Sequence, residues 1–474
     1  MLKRTFATAT RSRPFRLAVV GSGPAGFYTC HRLLKEHDNT QIDMFDALPV
    51  PHGLVRYGVA PDHPEVKNVM TTFDKVAEDP RFRFIGNVSV GTPTSVLQVA
   101  DLKAHYDALL FTYGASEDRH LGIPNEDAYG STSARTFVGW YNGLPRDQDL
   151  QLPLQDTDTA VVIGQGNVAL DVARILLTPI DDLRKTDITE AALEALSKSK
   201  IKNVHVVGRR GPLQASFTTK ELREQLSLPN VRFEADQQWI QQQIAAHEDA
   251  INKQRPLKRL MGLLAKGRKD NTGDKSWHLK FLRSPVEILA DNGNVSGIRY
   301  EMNELQGESF DKQRAVGTGQ FEDQACGLVL RSIGYKSMPM PGVPFDAKRG
   351  LVPNAYGKIL QSPDAAQDDT LPGMYTAGWL KRGPTGVIVS TMSDAYDTAD
   401  TILTDLKNES PMLPDDPQRS DDIVPLIQQR GVQPVSYRDW KKIEAAEFAH
   451  GVSIGKPREK FTSVPDMLHV LQPN

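Results

Sequence analysis

At 474 residues, with 56 Lys and Arg against 59 Asp and Glu, the chain carries a formal net charge of -3. That near balance excludes a global attraction to nucleic acid or anionic membrane, so any charged-partner site must be local. The length suits two or three domains, and no apolar run approaches the ~18 residues a membrane span needs. The two cysteines, Cys30 and Cys326, are too few and too far apart in sequence for a disulfide framework or a paired-thiol redox centre.

The first sixteen residues hold Lys3, Arg4, Arg11, Arg13 and Arg16, several Thr and Ser, and no acid; the first carboxylate is Glu36. A basic, hydroxyl-rich leader without an apolar core region reads as a mitochondrial transit peptide. The bland alternative is a plain basic tail.

Leu17 to Val20 then run straight into Gly21, Gly23 and Gly26, and apolar positions recur at helical spacing through Leu34. This is the opening of a dinucleotide-binding βαβ unit. The first glycine allows the turn, the second lets backbone approach a pyrophosphate, and the third lets helix pack on strand. A pyrophosphate at that helix start meets unpaired N–H groups and the positive end of the helix dipole. The next strand, 41–46, ends in Asp46, at the spacing of a ribose-hydroxyl partner.

Residues 48–65 hold four prolines and two glycines and read as a turn-rich functional loop. Within it Arg56, Asp62 and His63 are candidates to line a cofactor. Residues 65–78 have the spacing of one amphipathic helix, and 106–113 read as a buried strand.

A second nucleotide unit follows. Residues 159–163 run into Gly164-Gln165-Gly166-Asn167-Val168-Ala169, and 170–177 continue as a helix, with Ala169 in place of the third glycine. After a charged, helix-prone insertion (180–200), strand 203–207 ends in Gly208-Arg209-Arg210 with no carboxylate. An acid there would repel a ribose 2′-phosphate, whereas two guanidiniums bind it, which predicts NADP(H). Residues 217–226 read as a capped helix carrying Glu221 and Arg223. Arg255, Lys258 and Arg259 lie in the densest basic stretch after the leader. Residues 277–300 read as β-structure with an Asp291-Asn292-Gly293 turn, and 327–333 as a strand. A short strand at 373–377 precedes a glycine-rich turn reaching Gly386, with a helix over 387–406. Residues 408–435 read as a surface connection, and two short helices are expected around Trp440 and Met467.

Taken together, the stretches 21–26, 49–68, 139–145, 164–174, 207–212, 217–224, 377–388 and 455–460 resemble the adrenodoxin reductase family of ferredoxin–NADP reductases. The resemblance runs from Leu17 to the C-terminus and is weakest over 236–324. It implies an α/β fold of two Rossmann-like three-layer domains, glutathione-reductase-like. The NADP domain (116–334) would be inserted into a discontinuous FAD domain (17–115 and 335–474), after a 1–16 leader. It places FAD on Gly21, Gly23, Ala25, Gly26, Asp46, Leu54, Val90, Trp379, Gly386, Val387 and Ile388. It places NADPH on Gln165, Gly166, Asn167, Val168, Arg209, Arg210, Glu221 and Gly386. His63 and Asp171 are implied to tune or relay protons near the flavin, and each is more often structural. The activity implied is electron transfer from NADPH through FAD, one electron at a time, to an acidic [2Fe–2S] ferredoxin docking on Arg223, Arg255, Lys258 and Arg259. A monomer in the mitochondrial matrix, free or peripherally on the inner membrane, is implied as well. Asp46 and His52 depart from the Glu and Phe common in the family. The competing readings are an electron-input subunit of the glutamate synthase type and a catalytically silent flavin scaffold.

Overall fold

The computed structural model describes residues 13–414 and 420–472; most of the leader, 1–12, lies outside them. β1 (Phe15–Val20) is buried at every position, as a parallel strand covered on both faces requires. It claims two residues assigned to the leader. Phe15 is core, and buried Arg16 donates to the His105 carbonyl at 3.0 Å and pairs with Asp421 at 3.2 Å.

The chain continues through α1 (Pro24–Glu36), β2 (Thr40–Phe45), α2 (Leu54–Tyr57), α3 (Pro64–Lys67), α4 (Met70–Ala77), β3 (Phe82–Ile85), α5 (Val99–Lys103) and β4 (Ala108–Phe111). The single helix expected over 65–78 is therefore two, and the turn-rich loop 48–65 contains the one-turn α2. The break has a cause on each side. Lys67 is drawn toward Asp187, 2.6 Å away, whereas Phe73 and Val76 of α4 are buried against the first core.

After β5 (Glu117–Asp118) come β6 (Ser131–Ser133), α6 (Ala134–Tyr141), β7 (Thr159–Ile163), α7 (Asn167–Leu177), α8 (Ile180–Leu183), α9 (Glu190–Ser197) and β8 (Asn203–Val207). Then follow α10 (Thr219–Leu226), β9 (Val231–Glu234), α11 (Gln237–Ala246), α12 (Glu248–Asn252), α13 (Arg255–Lys266) and β10 (Lys275–Lys280). β11 (Arg283–Asp291), β12 (Asn294–Gln306) and β13 (Arg314–Ala325) lead to β14 (Leu328–Arg331) and β15 (Tyr335–Lys336). The last part holds β16 (Asn354–Ala355), β17 (Lys358–Leu360), β18 (Thr370–Thr376), α14 (Trp379–Arg382), α15 (Ile388–Lys407), α16 (Val424–Gln429), α17 (Tyr437–Ser453) and α18 (Val464–His469). α17 has 17 residues, so it is not the short helix expected around Trp440.

Two sheets organise these elements. The first runs β16-β17-β18-β4-β1-β2-β3, parallel from β18 to β3. The second runs β6-β14-β7-β8-β10-β9, parallel throughout. The chain leaves the first sheet before β5 and returns after β15, and these two strands pair with each other. Helices α1, α4 and α15 cover one face of the first sheet. The second sheet has helices on one face and the antiparallel layer β11-β12-β13 on the other, through Ile288, Ile298 and Tyr300. The β11–β12 hairpin turns at Asn292 and Gly293, with φ of 49° and 80°, the primed turn that a two-residue hairpin favours.

α17 is fastened from below by charge. Arg56, a loop candidate for lining a cofactor, is buried. It forms a buried two-point pair with Glu447 (Nη1 to Oε2, 3.0 Å), its guanidinium 5.0 Å from the Trp440 ring centroid. Glu447 also accepts from the Phe461 amide at 3.1 Å. Removing one charge from a buried pair strands the other, a loss of about 3–5 kcal/mol. Glu447→Gln is therefore expected to lower unfolding stability by that amount in a urea titration followed by tryptophan fluorescence. The double change Arg56→Met with Glu447→Leu should recover most of it. A single-variant loss below about 1 kcal/mol would show the pair to be no stronger than a surface bridge.

Candidate functional site

The site begins where β1 stops. Gly21 has φ of 106°, and a Cβ there would lie 2.7 Å from the Thr112 carbonyl carbon and oxygen at the end of β4. A Cβ on Gly26 would lie 2.6 Å from the Gly21 oxygen. Gly23 differs: nothing lies within 4 Å of where its Cβ would be, and it caps α1 without a side-chain hydrogen bond. Two glycines thus serve packing and one leaves open space at a helix start, the division a bound pyrophosphate needs.

Other chain segments close on this turn. The His52 amide donates to the Ser22 carbonyl at 3.0 Å, and a Cβ on Gly53 would sit 3.2 Å from the Gly23 Cα. A Cβ on Gly378 would sit 2.6 Å from that of Ala25, and the Gly378 amide donates to Asp394 at 2.6 Å. Leu54 opens α2 beside the turn, and Trp379 opens α14 with its ring 5.1 Å from that of Tyr335. Gly386 (φ 82°) and Val387 precede α15, which starts at Ile388 and is not capped by a side chain. Val90 lies on the loop after β3, packed on the opposite core of the same sheet.

Asp46 follows β2 and accepts from the Ser22 amide (3.1 Å), the Ser22 hydroxyl (2.5 Å) and the Leu48 amide (2.9 Å). Burial raises its pKa against these three donors. His52 is wholly buried among Phe27, Phe73, Tyr437 and Trp440, so a ring is what this position requires. Its Nε2 lies 3.3 Å from the Tyr437 hydroxyl, and burial, reinforced by Arg56, keeps it neutral.

The second turn repeats the design. Gly164 has φ of 123° against the Ser332 backbone, and Gly166 opens onto empty space at the uncapped start of α7. Gln165 folds across Gly208 and donates to the Lys280 carbonyl at 2.9 Å. Asn167 accepts from the Thr218 amide at 2.8 Å, tying the turn to the start of α10, and Val168 packs on the second core. Arg209 and Arg210 stand exposed past β8, and among the described residues neither guanidinium has a carboxylate partner.

Between the two turns lies a cluster only partly visible in the sequence. Arg174 of α7 is buried and grips Asp62 at 2.6 and 3.0 Å and Asp171 at 2.7 Å. Its Nη1 lies 3.5 Å from Glu221 Oε2, and neither atom has a hydrogen-bond partner. His63 Nε2 lies 2.8 Å from Glu224 Oε2. His63 and Asp171, named together by the resemblance, thus share one cluster but not one bond. Burial resists the charge on Asp62, yet Arg174 outweighs it and holds that carboxyl low. Burial, then the Asp171 charge, pushes Glu221 up to about 7. Spacing gave no sign of Arg174, Glu224 or Asp394. The one available signal was that Arg174 falls one turn after Asp171 on α7.

The basic candidates also find places. Arg223 is exposed on α10, and Arg255, Lys258 and Arg259 are exposed on α13, which packs on α10. Pro256 falls in the first turn of α13, where a proline costs no helical hydrogen bond, so Arg255 and Arg259 share one face.

Two open glycine turns at the C-terminal ends of parallel strands in two sheets define a scaffold for two nucleotides. A family profile of pyridine nucleotide-disulphide oxidoreductases matches residues 15–250. The chain is 47% identical over 478 residues to the mitochondrial NADPH:adrenodoxin oxidoreductase of Homo sapiens, covering 98% of this chain and 93% of that one. Against the protein of the same name from Salvelinus fontinalis identity is 46%, covering 98% and 92%. Among solved structures, Mycobacterium tuberculosis FprA in complex with NADPH superposes with a TM-score of 0.88 at 41% identity, covering 97% and 99%. The chain belongs to the NADPH:adrenodoxin oxidoreductase family.

Glu221 supplies a test of the cluster. A carboxyl raised from its usual range to about 7 holds its proton in the folded state over a window where the unfolded chain has lost it. Stability then falls as pH rises from about 4.5 to 7, by at most about 1.4 kcal/mol per pH unit. Glu221→Gln, uncharged throughout, should gain on the native chain between pH 5 and pH 8 in paired denaturation curves. Parallel curves would mean that Glu221 ionises in the normal range.

Proposed function

We propose that the chain transfers electrons from NADPH through FAD to a [2Fe–2S] ferredoxin, with FAD on the first turn and NADPH on the second. The observation that carries this reading is the pair of unpartnered guanidiniums, Arg209 and Arg210, beside the open start of α7. When bound, NADPH supplies a hydride that FAD accepts and passes on as single electrons. The chain's own work is positional. Gly23 and Gly166 admit the pyrophosphates to helix N-termini, and Asp46, whose oxygens retain lone pairs, accepts from a ribose hydroxyl. Ala25, Leu54, Val90, Trp379, Val387 and Ile388 would wall the flavin, with Gly26 letting α1 pack on the first turn. Gly386 would contact both ligands, and Gln165, Asn167 and Val168 would hold the second. The charge cluster around Arg174 fixes the mouth between them, and His63 with Glu224 can hold a proton there. Holding two reacting rings in register turns a bimolecular step into an intramolecular one.

An electron-input subunit carrying its own iron–sulfur clusters is disfavoured, because both cysteines are buried, and in different cores. The mitochondrial names of the relatives and the basic leader support a matrix protein, which we take to be a monomer. The direct test is NADPH-dependent reduction of a purified [2Fe–2S] ferredoxin. A protein that binds no flavin, or whose flavin NADPH does not bleach, would end the proposal.

The arginine pair should set cofactor choice. A hydrogen bond to a charged group contributes about 1.5–3 kcal/mol, so each arginine supplies roughly ten- to hundredfold discrimination. Arg209→Ala with Arg210→Ala should raise KM for NADPH and leave NADH nearly unchanged. Equal losses with both nucleotides would make the pair structural.

Ferredoxin docking is assigned to Arg223, Arg255, Lys258 and Arg259. Single exposed pairs contribute only about 0.2–1 kcal/mol, but a local positive patch raises association rates roughly ten- to thousandfold, a gain salt removes. Arg255→Glu with Arg259→Glu is expected to slow ferredoxin reduction and flatten its salt dependence, sparing a small uncharged acceptor. A wild-type rate and salt slope would move the docking surface elsewhere.

A further inference from the structure

Asp187, between α8 and α9, belongs to the second-sheet unit, yet both of its partners come from the first. Lys67 of α3 reaches its two carboxylate oxygens at 2.6 and 2.8 Å. Lys460, from the tail after α17, lies 3.1 Å from Oδ2 and donates to the Asp187 carbonyl at 3.2 Å and to Asn142 at 3.4 Å. The same tail takes hold twice more. Lys456 donates to the Ile188 carbonyl at 2.5 Å and to Glu459, and Glu459 accepts from the Glu190 amide at 2.9 Å. The Lys456 and Lys460 side chains are 0% and 1% exposed, so solvent and salt screen these contacts little.

The tail is itself rooted in the first-sheet unit. The Glu459 amide donates to the Glu447 carbonyl at 3.0 Å, and Arg458 pairs with Glu444 at 2.6 Å. The link to the cofactor mouth runs through α3. That four-residue helix carries Lys67 to Asp187, and just before it Asp62 and His63 meet Arg174 and Glu224 across the same gap. Glu65, within α3, reaches Lys220 at 2.7 Å. Holding Asp187 from two sides therefore holds the segment that carries Asp62 and His63 to Arg174 and Glu224.

We infer that the C-terminal segment Lys456–Lys460 is a positioning clamp: through Asp187 and the backbone of 188–190 it fixes the two nucleotide-binding units against each other and so aligns nicotinamide with flavin. None of its residues touches either glycine turn, so it acts on alignment and not on affinity. The inference rests on the proposed two-nucleotide function.

Lys460→Met is the informative variant, because Asp187 keeps Lys67 and no buried charge is left alone. Spin labels on Asp38→Cys and Lys198→Cys, one exposed site on each unit, report the separation of the units in the FAD-loaded protein; Cys30 and Cys326 are buried and stay unlabelled. In the parent the distance distribution should be narrow, and Lys460→Met should broaden it. Misplacement by about 1 Å costs up to a hundredfold, so flavin bleaching at saturating NADPH should slow about ten- to hundredfold. FAD content and affinity for 2′,5′-ADP, which needs only the second turn and its arginines, should not change. A parent-like distance distribution, or a parent-like bleaching rate, overturns the clamp. If Lys460→Met does not accumulate, Glu459→Gln, which keeps both ammonium partners of Asp187, takes its place in both measurements, and the same two results overturn the clamp. Were the parent itself not bleached by NADPH, the functional reading would fail while the distance measurement still judged the clamp.

Discussion

Everything at the first site depends on how closely two backbones approach at Gly21. The end of β1 lies so near the end of β4 that no side chain fits between them. That approach puts the start of α1 at the sheet's switch point, between β4 and β2, where a helix N-terminus faces the crevice. The loop carrying Gly53 and the turn carrying Gly378 then close on the same point, each with a glycine at its contact. Residues far apart in sequence are thereby committed to one pocket wall. The constraint is steric, so it holds before any ligand arrives and needs no side-chain chemistry.

Charge is used differently in the two places where it matters. Three of the buried links join distant parts of the chain by opposite charge: Arg56 with Glu447, Arg174 with Asp62, and Asp187 with both Lys67 and Lys460. A buried pair is a poor source of net stability but an effective fixer of geometry, because any displacement strands a charge away from water. At Arg174 the carboxylates of Asp62, Asp171 and Glu221 face one cation, and burial first, then the Asp171 charge, raises the pKa of Glu221. Shifted carboxyls of this kind commonly mark function.

Legibility followed the range of the forces involved. The βαβ units were readable because a glycine turn and an apolar parallel strand are local patterns: 159–163 and 203–207 coincide with β7 and β8. The break between α3 and α4 was not, because Lys67 turns toward a partner 120 residues on. Arg56 misled for a similar reason. A loop arginine between two glycine turns suggests a ligand contact, and only α17, folded back from the C-terminus, reveals its carboxylate. Of the central cluster the sequence offered Asp62 with His63 in one loop and, through the resemblance, His63 with Asp171, and Glu221 separately. It did not offer Arg174, which joins Asp62 to Asp171, since nothing in the spacing links residue 62 to residue 171. Of the antiparallel layer, β11 and the first half of β12 lay within the stretch read as β-structure; β13, and the layer's role as cover for one face of the second sheet, were not read.

The same reasoning separates the arginines that build the protein from those left for something else. A guanidinium deprived of water needs acceptors, and Arg56 and Arg174 have theirs within the chain. Arg209 and Arg210 stay solvated after a strand end, with no internal acceptor among the described residues, so the fold gains nothing from their charge. Two like charges side by side beyond a nucleotide turn repel each other, and a lysine–glutamate pair there would be more comfortable. Their repulsion is offset when a doubly charged anion binds between them. An arrangement unfavourable alone and favourable with an anion bound is what a selective binding site requires. The first turn differs: there Asp46 occupies the matching place, with three donors of the chain around it.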